Sequence, residues 1–210
     1  MGKSKFKYKV YDGKALKEML ENSRLFVLIL LFAAGIIAGA LTIKKDIGLI
    51  AKTEELIMDF AMKKAGQGVL ENFKYSLLSN MLFIITSVFF AFSLIGYPLI
   101  LVIPFIRGLA MGAVGGYLYS SYKFIGLGYS LLMIYPGAIF SVISLLIVCN
   151  DCCDYSKNAY SKSILGRGHF EKNETKYFLL RQLIFIGLSA IGAVIDGISV
   201  ALFSGLFNFA

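Results

Sequence analysis

The sequence has 210 residues, of which 58% are hydrophobic and 16% are charged, and its formal net charge is +8. A mean hydropathy of +0.74 is more apolar than a soluble core of this size could hide, so the composition excludes an ordinary soluble domain and predicts an integral membrane protein. We attribute the positive charge to membrane topology and to contact with anionic membrane lipids, so nucleic acid is not an expected partner.

Apolar runs define the predicted fold. A spanning helix needs about 20 mainly apolar residues at a rise of about 1.5 Å per residue. Runs of about that length occur at 25–43, 78–97, 98–121, 124–149 and 182–208. They predict an all-α bundle of about five transmembrane helices within one domain, residues 25–210, without a separate soluble domain.

The N-terminus, residues 1–24, carries seven Lys or Arg residues ahead of a 19-residue apolar run. That run is longer than the apolar part of a secretory signal, and no small-residue cleavage site follows it, so we interpret it as a retained first helix. With the N-terminus inside, the inner segments hold 13 basic residues and the outer segments hold 7. The basic bias therefore predicts a cytoplasmic N-terminus and, after five crossings, an extracytoplasmic C-terminus of a multi-pass cell-membrane protein.

The first polar segment, residues 44–77, is predicted to lie outside the cell. Its apolar residues recur near helical spacing, which indicates an amphipathic helix. This helix would either rest on the lipid interface or form a docking surface for an extracytoplasmic partner. The residues concerned are Ile47, Ile50, Ile57, Phe60 and Ala61.

Small residues repeat every fourth position in three of the predicted spans. Such ladders give a helix a flat face on which another helix can pack closely, so they indicate a tightly packed bundle or a homo-oligomer. The glycines of these predicted helix-packing faces are Gly35, Gly39, Gly108, Gly112, Gly116 and Gly197.

Arg107 and Asp196 are the charged residues expected inside the membrane. A charge at mid-bilayer disfavours insertion by about 2.5–3.5 kcal/mol, so each should be paired or near water, and we hypothesise that they pair or that Asp196 faces a wet cavity. If the third span begins at Pro98, Arg107 lies near the midplane. If it begins at Pro104, residues 98–103 are re-entrant or distorted and Arg107 lies near the helix end; we favour this second arrangement.

The chain has three prolines, all inside apolar runs, and we expect Pro98, Pro104 and Pro136 to break or reshape helices. Pro136, next to Gly137, predicts a kink in the fourth span. Kinked helices with an intramembrane charge also occur at the substrate sites of secondary transporters. A transporter or permease subunit is therefore the alternative function.

Residues 150–181 are predicted to form a cytoplasmic loop with one short helix. Just before and within it lie Cys149, Cys152 and Cys153, but the single histidine, His169, is distant, and structural zinc needs four ligands, so no metal site is expected. Juxtamembrane thiols in a reducing cytosol, open to acylation, are the other interpretation.

Enzymatic activity is not expected from this sequence. An intramembrane metalloprotease needs two histidines in an H-E-x-x-H motif, and an aspartyl protease needs two intramembrane aspartates. The chain has one histidine outside the predicted spans and one aspartate within them. We therefore assign no catalytic or cofactor-binding residue.

The order of the motifs is similar to that of a known family. The chain has G-Y-P-L-I-L at 96–101, F-I-R-G-L-A-M-G at 105–112, G-G-Y-L at 115–118, G-L-G at 126–128, and then Pro136. In this order the motifs resemble the stage II sporulation protein M family. The resemblance covers about 96–148, and the length and predicted topology agree over the rest of the chain.

The resemblance implies a membrane scaffold in the mother-cell membrane of an endospore-forming bacterium. Members of that family are said to anchor two peptidoglycan-degrading sporulation proteins during engulfment of the forespore. By analogy, those partners would dock on residues 44–77 or on the membrane faces. The cysteines of the second polar segment and Asp196 are departures that the family pattern does not explain.

Overall fold

The computed structural model describes residues 23–45, 68–93, 96–164 and 172–203. Every regular element in these ranges is helical. The helices are α1 (Ser23–Lys45), α2 (Val69–Ala91), α3 (Gly96–Tyr129), α4 (Tyr135–Ile164) and α5 (Lys172–Phe203), with a π-helical turn at Ser130–Ile134 between α3 and α4.

Four helical stretches of the described chain are long and apolar enough to cross a membrane. They are Arg24–Ile43, Val69–Ala91, Gly96–Tyr160 and Glu174–Leu202. The all-helical, membrane-spanning character predicted from composition is therefore confirmed for the described residues. The predicted number of about five spans is not confirmed, because length and composition alone merge the third and fourth into one stretch.

The merged stretch, Gly96–Tyr160, is 65 residues long. A straight helix of that length would reach about 97 Å, roughly three times the hydrocarbon thickness. Instead the backbone leaves helical geometry at Lys123, where φ is 49° and ψ is −123°. A Cβ added at Gly115 would lie 2.8 Å from the hydroxyl of Tyr135, although a straight helix would hold these residues about 30 Å apart. The chain therefore folds back between them.

Contacts between helices give their relative directions. Gly108 lies against Phe32 and Gly116 lies against Ala40, so α1 and α3 run parallel.

The helices α4 and α5 run antiparallel. The Ser144 hydroxyl donates a 2.7 Å hydrogen bond to the carbonyl of Phe185. Asp151 lies about two turns after Ser144 on α4, and it contacts Arg181, which comes before Phe185 on α5. The pair α1/α3 is therefore parallel and the pair α4/α5 is antiparallel.

Buried apolar side chains form two clusters. One lies toward the beginning of α1 and includes Leu28, Ile84, Ile100 and Phe178. The other lies toward its end and includes Ile43, Tyr117, Tyr129, Met133 and Val200. The outer faces stay apolar, with Phe124 81% exposed and Leu183 62% exposed. Such surfaces are unsuited to water and are expected where lipid is the solvent.

Several predicted boundaries are wrong. Residues 150–181 are mostly helical, because α4 continues to Ile164 and α5 begins at Lys172. Residues 98–103 are neither re-entrant nor distorted, since α3 is helical from Gly96. Apolar runs report the part of a helix that lies in hydrocarbon, and charged turns extend helices beyond it.

The predicted amphipathic helix falls largely outside the described residues. Within 44–77, the final part from Val69 belongs to α2, which starts nine residues before the predicted second span. Most of the basic N-terminus, 1–24, also lies outside the described ranges.

Candidate functional site

The glycines of α1 and α3 face each other within one chain. A Cβ added at Gly112 would lie 2.7 Å from the carbonyl carbon of Ile36, and one at Gly116 would lie 2.9 Å from the Cα of Ala40. Such distances leave no room for a side chain, so the two backbones are in direct contact. The other glycines packed at this interface are Gly35, Gly39 and Gly108.

A second close contact joins α4 and α5. A Cβ added at Gly137 would lie 2.8 Å from the carbonyl oxygen of Gly192, and one at Gly192 would lie 2.9 Å from the carbonyl oxygen of Gly137. At Gly197, one of the predicted packing glycines, an added Cβ would lie 3.1 Å from Cγ1 of Val69 of α2. The sequence analysis missed the contact of Gly137 with Gly192, because neither belongs to an i+4 ladder of glycines.

Arg107 projects from α3 onto α2. Its guanidinium donates a 3.0 Å hydrogen bond to Oδ1 of Asn80 and a longer one, 3.5 Å, to the hydroxyl of Ser79. The guanidinium carbon also lies 5.1 Å from the centre of the Phe83 ring, a cation–π distance. Three side chains of one helix, α2, therefore contact this charge.

Arg107 lies well inside α3, away from both ends of the helix. It lies 11 residues after Gly96 along a helical backbone, which is about 16 Å at helical rise. Residues 98–103 are helical, so the re-entrant or distorted piece of the favoured arrangement is wrong, and the depth of Arg107 in the membrane stays a prediction. Pro98 lies in the first turn, where no backbone donor is needed, and Pro104 lies inside the helix.

Asp196 is buried on α5 with 6% of its surface exposed. A Cβ added at Gly137 would lie 2.5 Å from the Cβ of Asp196, so glycine at this position lets the aspartate fit between α4 and α5. The hydrogen bonds of Arg107 go to α2, and its charge also interacts with that of Asp196. Direct pairing of the two charges stays a prediction.

A second irregular part of the merged stretch, after the one at Lys123, lies just before Pro136. The π-helical turn Ser130–Ile134 ends there, and the Ser130 hydroxyl donates a 3.0 Å hydrogen bond to the carbonyl of Gly126. A π-helical turn and a proline are both recognised causes of helix bending. The kink at Pro136 stays a prediction, and the sequence did not predict the π-helical turn before it.

The three cysteines are enclosed. Cys149 and Cys152 have no exposed surface and Cys153 has 1%; the Cys149 Sγ lies 3.6 Å from the hydroxyl of Ser87. Acylation needs an accessible thiol, so the structure argues against that interpretation. Among the described residues, no group of three or more potential ligands could hold a metal ion, and His169 lies outside them.

Charged side chains join the helices at the end of the bundle where α1 begins. Arg24 bonds to Asp154, and the Arg181 Nε lies 3.5 Å from Oδ2 of Asp151. These contacts fix α1 and α5 to the charged end of α4. Sequence reasoning missed them because it assigned their members to a tail and a loop.

Comparison with known proteins gives one family match. The sequence model of the family described as Stage II sporulation protein M matches residues 28–199, which is most of the chain. The matched range contains every glycine, proline and intramembrane charge singled out above. No curated protein and no solved structure was found to be similar.

Proposed function

The chain belongs to the stage II sporulation protein M family, and we propose that it is a non-enzymatic membrane scaffold used in sporulation. In this proposal it anchors peptidoglycan-degrading partner proteins in the mother-cell membrane during engulfment of the forespore. The observation that carries the proposal is that Arg107 donates its hydrogen bonds to Ser79 and Asn80 of the neighbouring helix α2. A costly intramembrane charge thus serves to hold helices together.

The glycine faces support the same proposal. Close backbone contact between α1 and α3 requires glycines, which lack side chains and lower the helix propensity of both segments. In return the two helices pack tightly and form a rigid framework. A rigid, apolar framework suits a protein that holds others in position.

We further propose five crossings. The stretch Gly96–Tyr160 would cross twice, reversing at Lys123, where the backbone leaves helical geometry. The N-terminus would then be cytoplasmic and the C-terminus extracytoplasmic, and residues 44–77 would be placed on the side of the peptidoglycan. That segment is the first candidate for partner docking.

The test is whether peptidoglycan hydrolase activity co-purifies with the chain. An affinity-tagged chain is purified from sporulating cells in mild detergent, and the eluate is assayed for peptidoglycan hydrolysis on a zymogram. We expect hydrolase activity with the native chain and its loss when residues 46–67 are replaced by a Gly/Ser linker, with the chain still in the membrane. A native chain that elutes free of hydrolase activity contradicts the proposal.

Transport is a second candidate, favoured by the π-helical turn beside Pro136 in a bundle that holds Arg107 and Asp196. Broken helices near charges are the usual setting of transporter sites. A transporter requires solute flux in proteoliposomes that contain the chain, and this flux should fall in Arg107→Ala. Engulfment would then proceed without the chain, whereas a scaffold is required for it.

A further inference from the structure

A groove lies on the outer side of the bundle between α2 and α5. It encloses about 590 Å³, within the range of roughly 300–1,000 Å³ usual for ligand sites. Its walls are mainly apolar, with Ile84 and Val88 from α2 and Leu179, Leu183 and Ile186 from α5. The groove therefore suits a molecule with a long apolar part.

The groove is only half as long as the membrane is thick. Along α5 it extends from Thr175 to Ile186, which is about 16 Å at helical rise, against about 15 Å for one leaflet of hydrocarbon. A transmembrane helix from another protein would need a contact face through both leaflets. A lipid of a single leaflet matches the length.

One end of the groove is basic. Lys176 lines it there, is exposed, and makes no ion pair with any other residue in the described ranges. Its neighbour Thr175 lies 2.9 Å, hydroxyl to hydroxyl, from Tyr155, at the same end of the bundle as the Arg24–Asp154 pair. A free cation at the membrane boundary attracts anionic headgroups.

A buried amide lies part-way along the groove. Gln182 lines it, has 3% of its surface exposed, and both polar atoms of its side chain lack a hydrogen-bond partner among the described residues. Buried polar groups are nearly always hydrogen-bonded, so an unpartnered amide indicates a missing partner. Gln182 lies six residues, about 9 Å, deeper than Lys176, where a phospholipid carries its ester groups beneath the phosphate.

We propose that this groove binds one anionic phospholipid from the leaflet on the side where α1 begins. The phosphate contacts Lys176, and the glycerol ester region lies at the level of Gln182, where that residue lines the groove. An acyl chain lies along the wall formed by Ile84 and Leu183. This assignment does not depend on the proposed role in sporulation.

The experiment counts retained lipid on the full chain. The protein is reconstituted with equal amounts of phosphatidylglycerol and phosphatidylcholine, extracted in mild detergent, and analysed by native mass spectrometry. We expect one phosphatidylglycerol per chain, and about tenfold less in Lys176→Glu, because a charge-assisted contact is lost. The matched control is Lys74→Glu, an exposed lysine of α2 outside the groove, which should retain the lipid.

Two further measurements test lipid binding in the groove without relying on the Lys176 variant. Leu183→Trp fills the groove and should also lower retention of phosphatidylglycerol, even if Lys176→Glu does not yield monodisperse protein. A photocrosslinker placed at Leu183 in cell membranes should give adducts with the mass of a phospholipid. Equal retention by native chain and Lys176→Glu, or adducts to a polypeptide such as a second copy of the chain, would overturn the proposal.

Discussion

Arg107 and Asn80 are joined by a 3.0 Å hydrogen bond from the guanidinium to the side-chain carbonyl oxygen. The bond links α3 to α2 between two helices that are long and apolar enough to cross a membrane, a setting in which an unpartnered charge is costly. It makes the arginine part of the framework of the bundle.

The first prediction concerns this bond. Asn80→Leu removes the acceptor and leaves a buried guanidinium with a weaker partner in Ser79, so the free energy of unfolding should fall by about 1–2 kcal/mol. Unfolding in mixed micelles with increasing SDS measures the change. The control is Thr86→Val on the same helix, because that hydroxyl bonds only to the carbonyl of Leu82. Equal losses in the two variants would show that the interhelical bond contributes nothing.

The glycine face gives the second prediction. In Gly112→Ala the new methyl would meet the backbone of Ile36, and we expect the free energy of unfolding to fall by about 1–3 kcal/mol as α1 and α3 separate. Gly187→Ala is the matched control, because no atom lies within 4 Å of its added Cβ. Alanine should be neutral there or stabilise the helix by up to about 1 kcal/mol. The same SDS titration compares them, and an unchanged Gly112→Ala would refute close packing at this position.

Thiol accessibility is the third prediction. Cys149, Cys152 and Cys153 are enclosed by the bundle, so a maleimide–polyethylene glycol reagent should not modify them in mild detergent. In SDS all three should react and produce a mobility shift for each thiol on a gel. Rapid labelling of the folded protein would show that the cysteines are open to solvent.

The fourth prediction tests the number of crossings. If Gly96–Tyr160 crosses twice, the two termini lie on opposite sides of the membrane. Alkaline phosphatase fused after residue 208 should then be active, and green fluorescent protein fused to the N-terminus should fluoresce. An inactive C-terminal phosphatase together with a fluorescent C-terminal fusion would instead indicate four crossings.

Sequence reasoning found the membrane helices because hydrocarbon requires long apolar runs. It misplaced their ends because helices such as α4 continue into charged turns, where Asp151 and Asp154 bond to Arg181 and Arg24. Hydropathy reports the solvent around a residue and does not report where backbone hydrogen bonding stops.

The packing partners were harder to predict than the packing faces. The spacing of Gly108 and Gly112 marks a flat face in any helix, but its pairing with α1 depends on how the whole bundle assembles. Arg107 likewise required a polar neighbour, and opposite charge suggested Asp196. The hydrogen-bond acceptor that the structure shows is the neutral Asn80, because position in the bundle decides which polar group is within reach, and pairing with Asp196 stays a prediction.

The proposed scaffold role is tested most directly by time-lapse microscopy of sporulating cells that lack the gene, with a membrane dye to follow the engulfing membrane. We predict that migration around the forespore stops in these cells, and that the native chain restores it. Complete engulfment at the normal rate in the deletion strain would contradict the scaffold role.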